Sequence, residues 1–249
     1  MNSIAVSLIA FVVIFVSALI GSALPGHRLP EGSKDFVRLG AGVVGTIAAL
    51  VLGLLIASAK TSNDTQSNHV RRIAADAIQL DYTLVQYGPE TRKARELLRG
   101  ALVQLVERIW SQNRPESAGG APFRASTVSE DAYLEILRLS PQNELQISLK
   151  AGAVQVTNDL VQTRLLLFEQ AANPIPTPFL AILIIWLAII FASFSLFVRP
   201  DFIVVITSCV FSASASFALF LILELNQPFT GLMQISNAPL LNVLNPLAP

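Results

Sequence analysis

The sequence predicts an all-α polytopic membrane protein with four transmembrane helices and a helical soluble domain inserted between the second and third. Three observations carry this expectation. The chain is 53% apolar and only 14% charged, whereas soluble domains approach about a quarter charged, and its mean hydropathy is +0.58. Four runs without a charged residue are each long enough to cross hydrocarbon, which takes roughly 20 apolar residues at about 1.5 Å per residue. The stretch between the second and third runs has the charge content and helical periodicity of a bundle facing water.

The first run is Ile4 to Ile20. Met1-Asn2-Ser3 supplies no basic flank, and the apolar stretch is longer than a signal-peptide core, so it reads as a retained helix. The second run is Leu39 to Ala59, the third Phe179 to Val198 and the fourth Phe202 to Leu223. Only Arg199, Pro200 and Asp201 separate the last two, which implies a tight transmembrane hairpin. Basic residues flank the two membrane faces about equally, so charge counting does not set the orientation.

From Leu54 to Tyr87 no Gly or Pro interrupts the chain, and Val70, Ile73, Ala74, Ala77, Ile78, Leu84 and Val85 recur at helical spacing, with Asp81 the polar exception. The second transmembrane helix is therefore expected to continue to Tyr87, about 70 Å from Leu39. Gly88-Pro89-Glu90 is a helix stop followed by a start. Ala94, Leu97, Leu98, Ala101, Leu102, Leu105, Val106 and Ile109 then form an apolar face opposite Arg92, Arg95, Glu96, Arg99 and Glu107. Residues 113–125 read as a loop. Thr127 to Glu130 fits a capping box before a short helix. Ser140-Pro141 is expected to begin another helix that runs to Ala172, with Leu145, Leu149, Ala153, Val156, Leu160 and Leu167 inward.

This gives the segments 1–59 (transmembrane helices 1 and 2), 60–177 (helical domain), 178–224 (helices 3 and 4) and 225–249, a tail without charge. The tail's prolines prevent a long helix, and it is expected to pack on the chain's own domain.

Several function classes fall away. The formal net charge is zero, so nucleic acid finds no basic face. Cys209 is the single cysteine, and His27 and His69 are the only histidines, which leaves no disulfide, thiolate cage or histidine triad. No phosphate loop, dinucleotide fingerprint, nucleophile elbow or paired-carboxylate motif is present. The reading is not an enzyme, with no cofactor and no metal site. The charged residues of 60–177 read as a solvated bundle surface, with Arg71-Arg72 or Arg92-Lys93-Arg95 as the alternative, an anion-attracting group.

Ala41, Gly45, Ala49, Gly53 and Ala57 recur every four residues along the second helix. Small residues let helix backbones approach closely in lipid, where packing replaces the hydrophobic drive. The stripe therefore serves either packing within the chain or packing between subunits around an axis. Ser208, Ser212 and Ser216 share one face of the fourth helix and read as packing positions. Glu224 either reaches the interface from the last turn of that helix or is a buried acid, the latter being expensive and functional.

Leu52-Gly-Leu-Leu-Ile-Ala-Ser-Ala-Lys60 leading into Asp64-Thr-Gln, then Tyr87-Gly-Pro-Glu90, and Glu224-Leu-Asn-Gln-Pro-Phe-Thr-Gly231 together resemble the bestrophin-like domain family of bacterial membrane proteins. The resemblance extends over nearly the whole chain. It implies the bestrophin arrangement, in which subunits of four spans assemble into a pentameric anion channel. It also implies that the domain between the second and third spans is cytoplasmic. Matching Leu52-Gly53 to the bestrophin neck would turn Thr46, Leu50 and Leu54 toward the pore. Two departures stand out. No Phe, Tyr or Trp occurs between Leu39 and Ala59, where bestrophins carry neck aromatics. Residues 225–249 contain no Asp or Glu, so a bestrophin-type calcium clasp is excluded.

The functional expectation is a homo-oligomeric, pentameric channel of the bacterial inner membrane, multi-pass, with lipid and further copies of itself as partners and small anions as permeant species. The alternative is a non-conducting anchor or scaffold whose cytoplasmic bundle recruits a protein partner through residues 89–112.

Overall fold

The computed structural model describes residues 3–24, 30–110, 127–171, 177–198 and 201–244, and among these every regular element is helical. The elements are α1 (Ser3–Ala23), α2 (Glu31–Tyr87), one 3₁₀ turn (Pro89–Thr91), α3 (Arg92–Trp110), α4 (Thr127–Arg138), α5 (Glu144–Ala171), α6 (Thr177–Ser195), α7 (Phe202–Leu225) and α8 (Ala238–Leu244). Among the described residues four helices are long and apolar enough to cross a membrane: α1, α2, α6 and α7. The loop expected over 113–125, His27, Arg28 and the Arg199-Pro200 corner lie outside the described residues.

The chain divides into two units, Met1–Thr61 with Pro174–Asn226, and Ser62–Asn173 with Gln227–Pro249. Residues 227–244 of the uncharged tail thus group with the helical domain.

In the first unit, α1 packs on α6 and α7. Its buried residues are Ser3, Ser7, Ala10, Ile14, Ala18, Gly21 and Ser22, a single face at three- and four-residue spacing. Small side chains dominate that face, so the helices meet closely. A Cβ on Gly21 would collide with the Ala192 carbonyl of α6. Ala10, Ala48, Leu180, Leu183, Ile190, Leu219 and Leu223 form the shared apolar cluster. The remaining faces present Leu8, Ile9, Ile185, Ile189, Ile203 and Phe217 outward, as lipid contact demands.

In the second unit, Val70, Ile73, Ala77, Leu80 and Leu84 of α2 pack with Leu98, Leu102 and Leu105 of α3, Ile136 of α4, Val156 and Leu167 of α5, and Leu240 and Val243 of α8. The inward face of α2 is narrower than the apolar periodicity implies. Ile78 and Val85 are 53% and 52% exposed, because only a stripe about 100° wide can face one core. Leu145 is likewise 65% exposed and not inward.

Helix ends follow local chemistry. Gly88 adopts φ 134°, ψ −178°, a region essentially restricted to glycine, and this stops α2. Thr91 Oγ1 donates to the Leu84 carbonyl at 2.6 Å and to the Gly88 carbonyl at 2.8 Å, holding the chain as it turns into α3. The start of α5 differs from expectation. It begins at Glu144, since Asn143 Oδ1 accepts from the Gln146 amide at 2.8 Å and outcompetes Ser140-Pro141 as the cap. Asp201 caps α7 by accepting from the Phe202 amide at 2.8 Å.

Candidate functional site

The most conspicuous candidate surface is the part of α2 that no other described element covers. Leu39, Val43, Ile47, Leu50 and Leu54 are all exposed, with Leu50 and Leu54 each 71% exposed. Their spacing of four, four, three and four places them on one side of the helix. Thr46 is also exposed, and its hydroxyl donates to the Gly42 carbonyl at 3.0 Å, so it is satisfied without a partner helix. The face pointing the other way carries Ala48, 3% exposed, into the membrane core cluster.

The small-residue stripe is divided between these faces. Ala41 is buried and Gly45 half-buried, while Ala49, Gly53 and Ala57 are exposed. A Cβ built on Gly45 or Gly53 meets nothing within 4 Å. A close approach that glycine permits is made instead at Gly21 against Ala192.

Glu224 takes the buried alternative: it is 2% exposed. Ser3 Oγ donates to its Oε2 at 2.8 Å. Beside it Ser216 Oγ donates to the Ser7 carbonyl, and Ser7 Oγ donates to the Ser3 carbonyl at 2.8 Å. The pairs Ser3 with Glu224 and Ser7 with Ser216 mean that α1 and α7 run antiparallel. Ser208, Ser212 and Ser216 are all buried in the unit, so this face of α7 is a packing face.

Several charged side chains of the helical domain are engaged with one another. Arg95 Nε donates to Asp81 Oδ1 at 2.6 Å and Nη2 to Oδ2 at 3.3 Å, a fork that raises the guanidinium pKa. Asp81, the polar exception in the α2 pattern, is thereby explained. Arg92 pairs with Glu96 at 3.4 Å and Lys93 with Glu135 at 2.6 Å. Arg164 is 5% exposed, and its Nη1 donates to Ser129 Oγ at 2.6 Å. Burial lowers its pKa, and the nearby Arg108 charge adds to the effect.

Against this geometry the comparisons are decisive for family. The model of the bestrophin-like domain matches residues 5–240. This chain belongs to the bestrophin-like family. Its fold is correspondingly similar to crystal structures of a bacterial bestrophin homologue from Klebsiella pneumoniae. One, from zinc-based phasing, is 15% identical with a TM-score of 0.69, covering 96% of each chain. Two single-substitution forms give a TM-score of 0.71 at 15% identity, covering 99% of this chain and 97% of that one, and 0.68 at 14% identity, covering 99% and 98%. No curated protein matches the chain.

In this bestrophin-like protein two site features escaped sequence reasoning. The Ser3 to Glu224 bond joins residues 221 positions apart, and nothing local marks that pairing. The Gly21 contact was hidden because the conspicuous glycines lie in α2. The signal that could have found it is the single glycine of α1, standing at the end of its row of small residues Ser3, Ser7, Ala10 and Ala18.

Proposed function

We propose that this bestrophin-like protein is a homo-oligomeric, pentameric channel of the bacterial inner membrane that conducts small anions through an axial pore lined by α2, with residues 60–177 in the cytoplasm. The observation that carries the reading is the exposed ribbon Leu39, Val43, Ile47, Leu50 and Leu54 on a 57-residue helix. A ribbon at this spacing suits helices meeting copies of themselves, and Gly45 and Gly53 leave room for them. Family membership supplies the precedent of a channel. Thr46, Leu50 and Leu54 are assigned to the neck, where an apolar ring gates by dewetting. The tail bears no acidic residue, so gating by a bestrophin-type calcium clasp is not part of this proposal.

The scaffold alternative draws on the open groove of about 590 Å³ lined by Arg92, Arg95, Glu96, Arg99 and Val103. Its electrostatic case is weakened because Arg95 and Arg92 are already paired with Asp81 and Glu96. Flux of chloride and nitrate into liposomes holding purified protein tests the channel. Leu50→Ala and Leu54→Ala are expected to raise the flux by widening the constriction. Equal flux from the wild type, both variants and empty liposomes would overturn it.

A further inference from the structure

The helical unit contains a small polar cleft that the channel reading does not use. Asn63, Ser67 and Arg71 line one wall, and Gln234 and Ser236 line the other, around about 190 Å³. The first three stand four residues apart on α2 and so share one stripe of the helix. The opposite wall comes from the segment between α7 and α8.

That second wall is held firmly. Trp110 Nε1 donates to the Ile235 carbonyl at 2.8 Å, and the Ile235 amide donates to the Pro228 carbonyl at 2.6 Å. Trp110 also meets Phe229 edge to face at 5.4 Å between ring centres. Leu240 and Val243, 0% and 2% exposed, anchor α8 just beyond it. The cleft is therefore preorganised, and filling it costs little ordering of the protein.

Its chemistry is biased toward donors. No carboxylate lines it. Arg72 turns to Asp76 at 3.8 Å, while among the described residues no acid pairs with Arg71. Asn63 Nδ2 is buried without a hydrogen-bond partner, an unfavourable state when nothing satisfies it. Ser236 Oγ accepts from the Ala238 amide at 3.2 Å, which leaves its O–H to donate. A guanidinium, an amide and hydroxyls together select an anionic, acceptor-rich ligand.

Size narrows the class. At about 30 Å³ per water the cleft holds on the order of six waters, too small for nucleotide-sized ligands, whose sites run from about 300 Å³ upward. The guanidinium fork matches two oxygens of one oxyanion better than a spherical halide. We propose that this cleft binds a tetrahedral phosphate group between α2 and residues 233–239. The group comes from inorganic phosphate or from a lipid headgroup, since Asn63 follows closely on the apolar run that ends at Ala59.

Binding itself is the readout, so the result is independent of whether the protein conducts. The full chain in uncharged detergent is unfolded thermally, followed by tryptophan fluorescence, with inorganic phosphate replacing chloride at constant ionic strength. A second arm uses nanodiscs with and without phosphatidylglycerol. A saturable rise in Tm is expected in one arm, as binding to the folded state requires. Arg71→Gln should weaken the binding about tenfold or more, the scale of a charge-assisted contact, and Asn63→Leu should abolish it by filling the cleft. Arg72→Gln should leave it unchanged. A response to phosphate alone assigns the free anion and a response to phosphatidylglycerol alone assigns the headgroup. Either result supports the site. If Arg71→Gln does not fold, Asn63→Leu decides. No saturable response in either arm, or an equal one in the folded cleft variants, overturns the proposal.

Discussion

Ser3 Oγ donates to Glu224 Oε2 across 2.8 Å, which fastens the first turn of α1 to the last turn of α7 inside the membrane unit. Glu224 is 2% exposed, and a buried carboxylate is tolerated only with such partners. Glu224→Ala, which strands the Ser3 hydroxyl, should destabilise the unit by about 1–3 kcal/mol. Glu224→Gln, which keeps an acceptor oxygen, should cost less. Unfolding of both variants by detergent titration measures the difference, and equal losses would mean that the bond contributes nothing.

Gly21 and Gly45 should respond in opposite ways. Gly21→Ala forces α1 away from the Ala192 carbonyl, an overpacking that typically costs about 1–3 kcal/mol. Gly45→Ala meets nothing within 4 Å among the described residues and should leave subunit stability unchanged. If the stripe packs against another copy, the same substitution lowers the oligomer fraction, which multi-angle light scattering in detergent reads directly.

Gly88→Ala tests the end of α2. The φ of 134° is strained for any residue with a Cβ, at about 1–3 kcal/mol. The variant should lose that much stability in denaturant titration while keeping its helical circular dichroism.

Two ion pairs in the helical unit should differ in weight. The Arg95 and Asp81 side chains are 28% and 15% exposed, so Asp81→Asn, which leaves a half-buried guanidinium short of its partner, should be clearly destabilising. Lys93 is 69% exposed, and solvent screens its pair with Glu135, so Glu135→Gln should matter little at neutral pH. The Lys93 hydrogen bond, with the nearby Arg138 charge, holds the Glu135 carboxyl below its usual range. A depressed carboxylate contributes stability that is complete above the unfolded pKa and lost as the pH falls through the folded one. The difference in Tm between wild type and Glu135→Gln should therefore shrink on acidification through the carboxylate range, not on alkalinisation.

Much of the architecture was legible because it depends on local pattern. The helical stretch uninterrupted by Gly or Pro beyond Leu54 foretold that α2 continues out of its apolar run to Tyr87, and Gly88-Pro89 foretold its end. The start of α5 was misread because Asn143 and Ser140 are both good caps, and it is the Asn143 side chain that accepts from the Gln146 amide. Leu145 and Ile78 fit the apolar period yet are exposed, since period alone does not state how wide a face the core accepts.

The four apolar runs, the helical insert, the absence of catalytic motifs and the family likeness all followed from the sequence by itself, because hydrophobicity and helix-breaking residues act over one helix length. The burial of Glu224, the collision site at Gly21, the use of Asp81 and the pairing of α2 with residues 233–239 were decided only by the tertiary structure. Each depends on which distant segment arrives opposite a given side chain, and no short-range spacing encodes that partner.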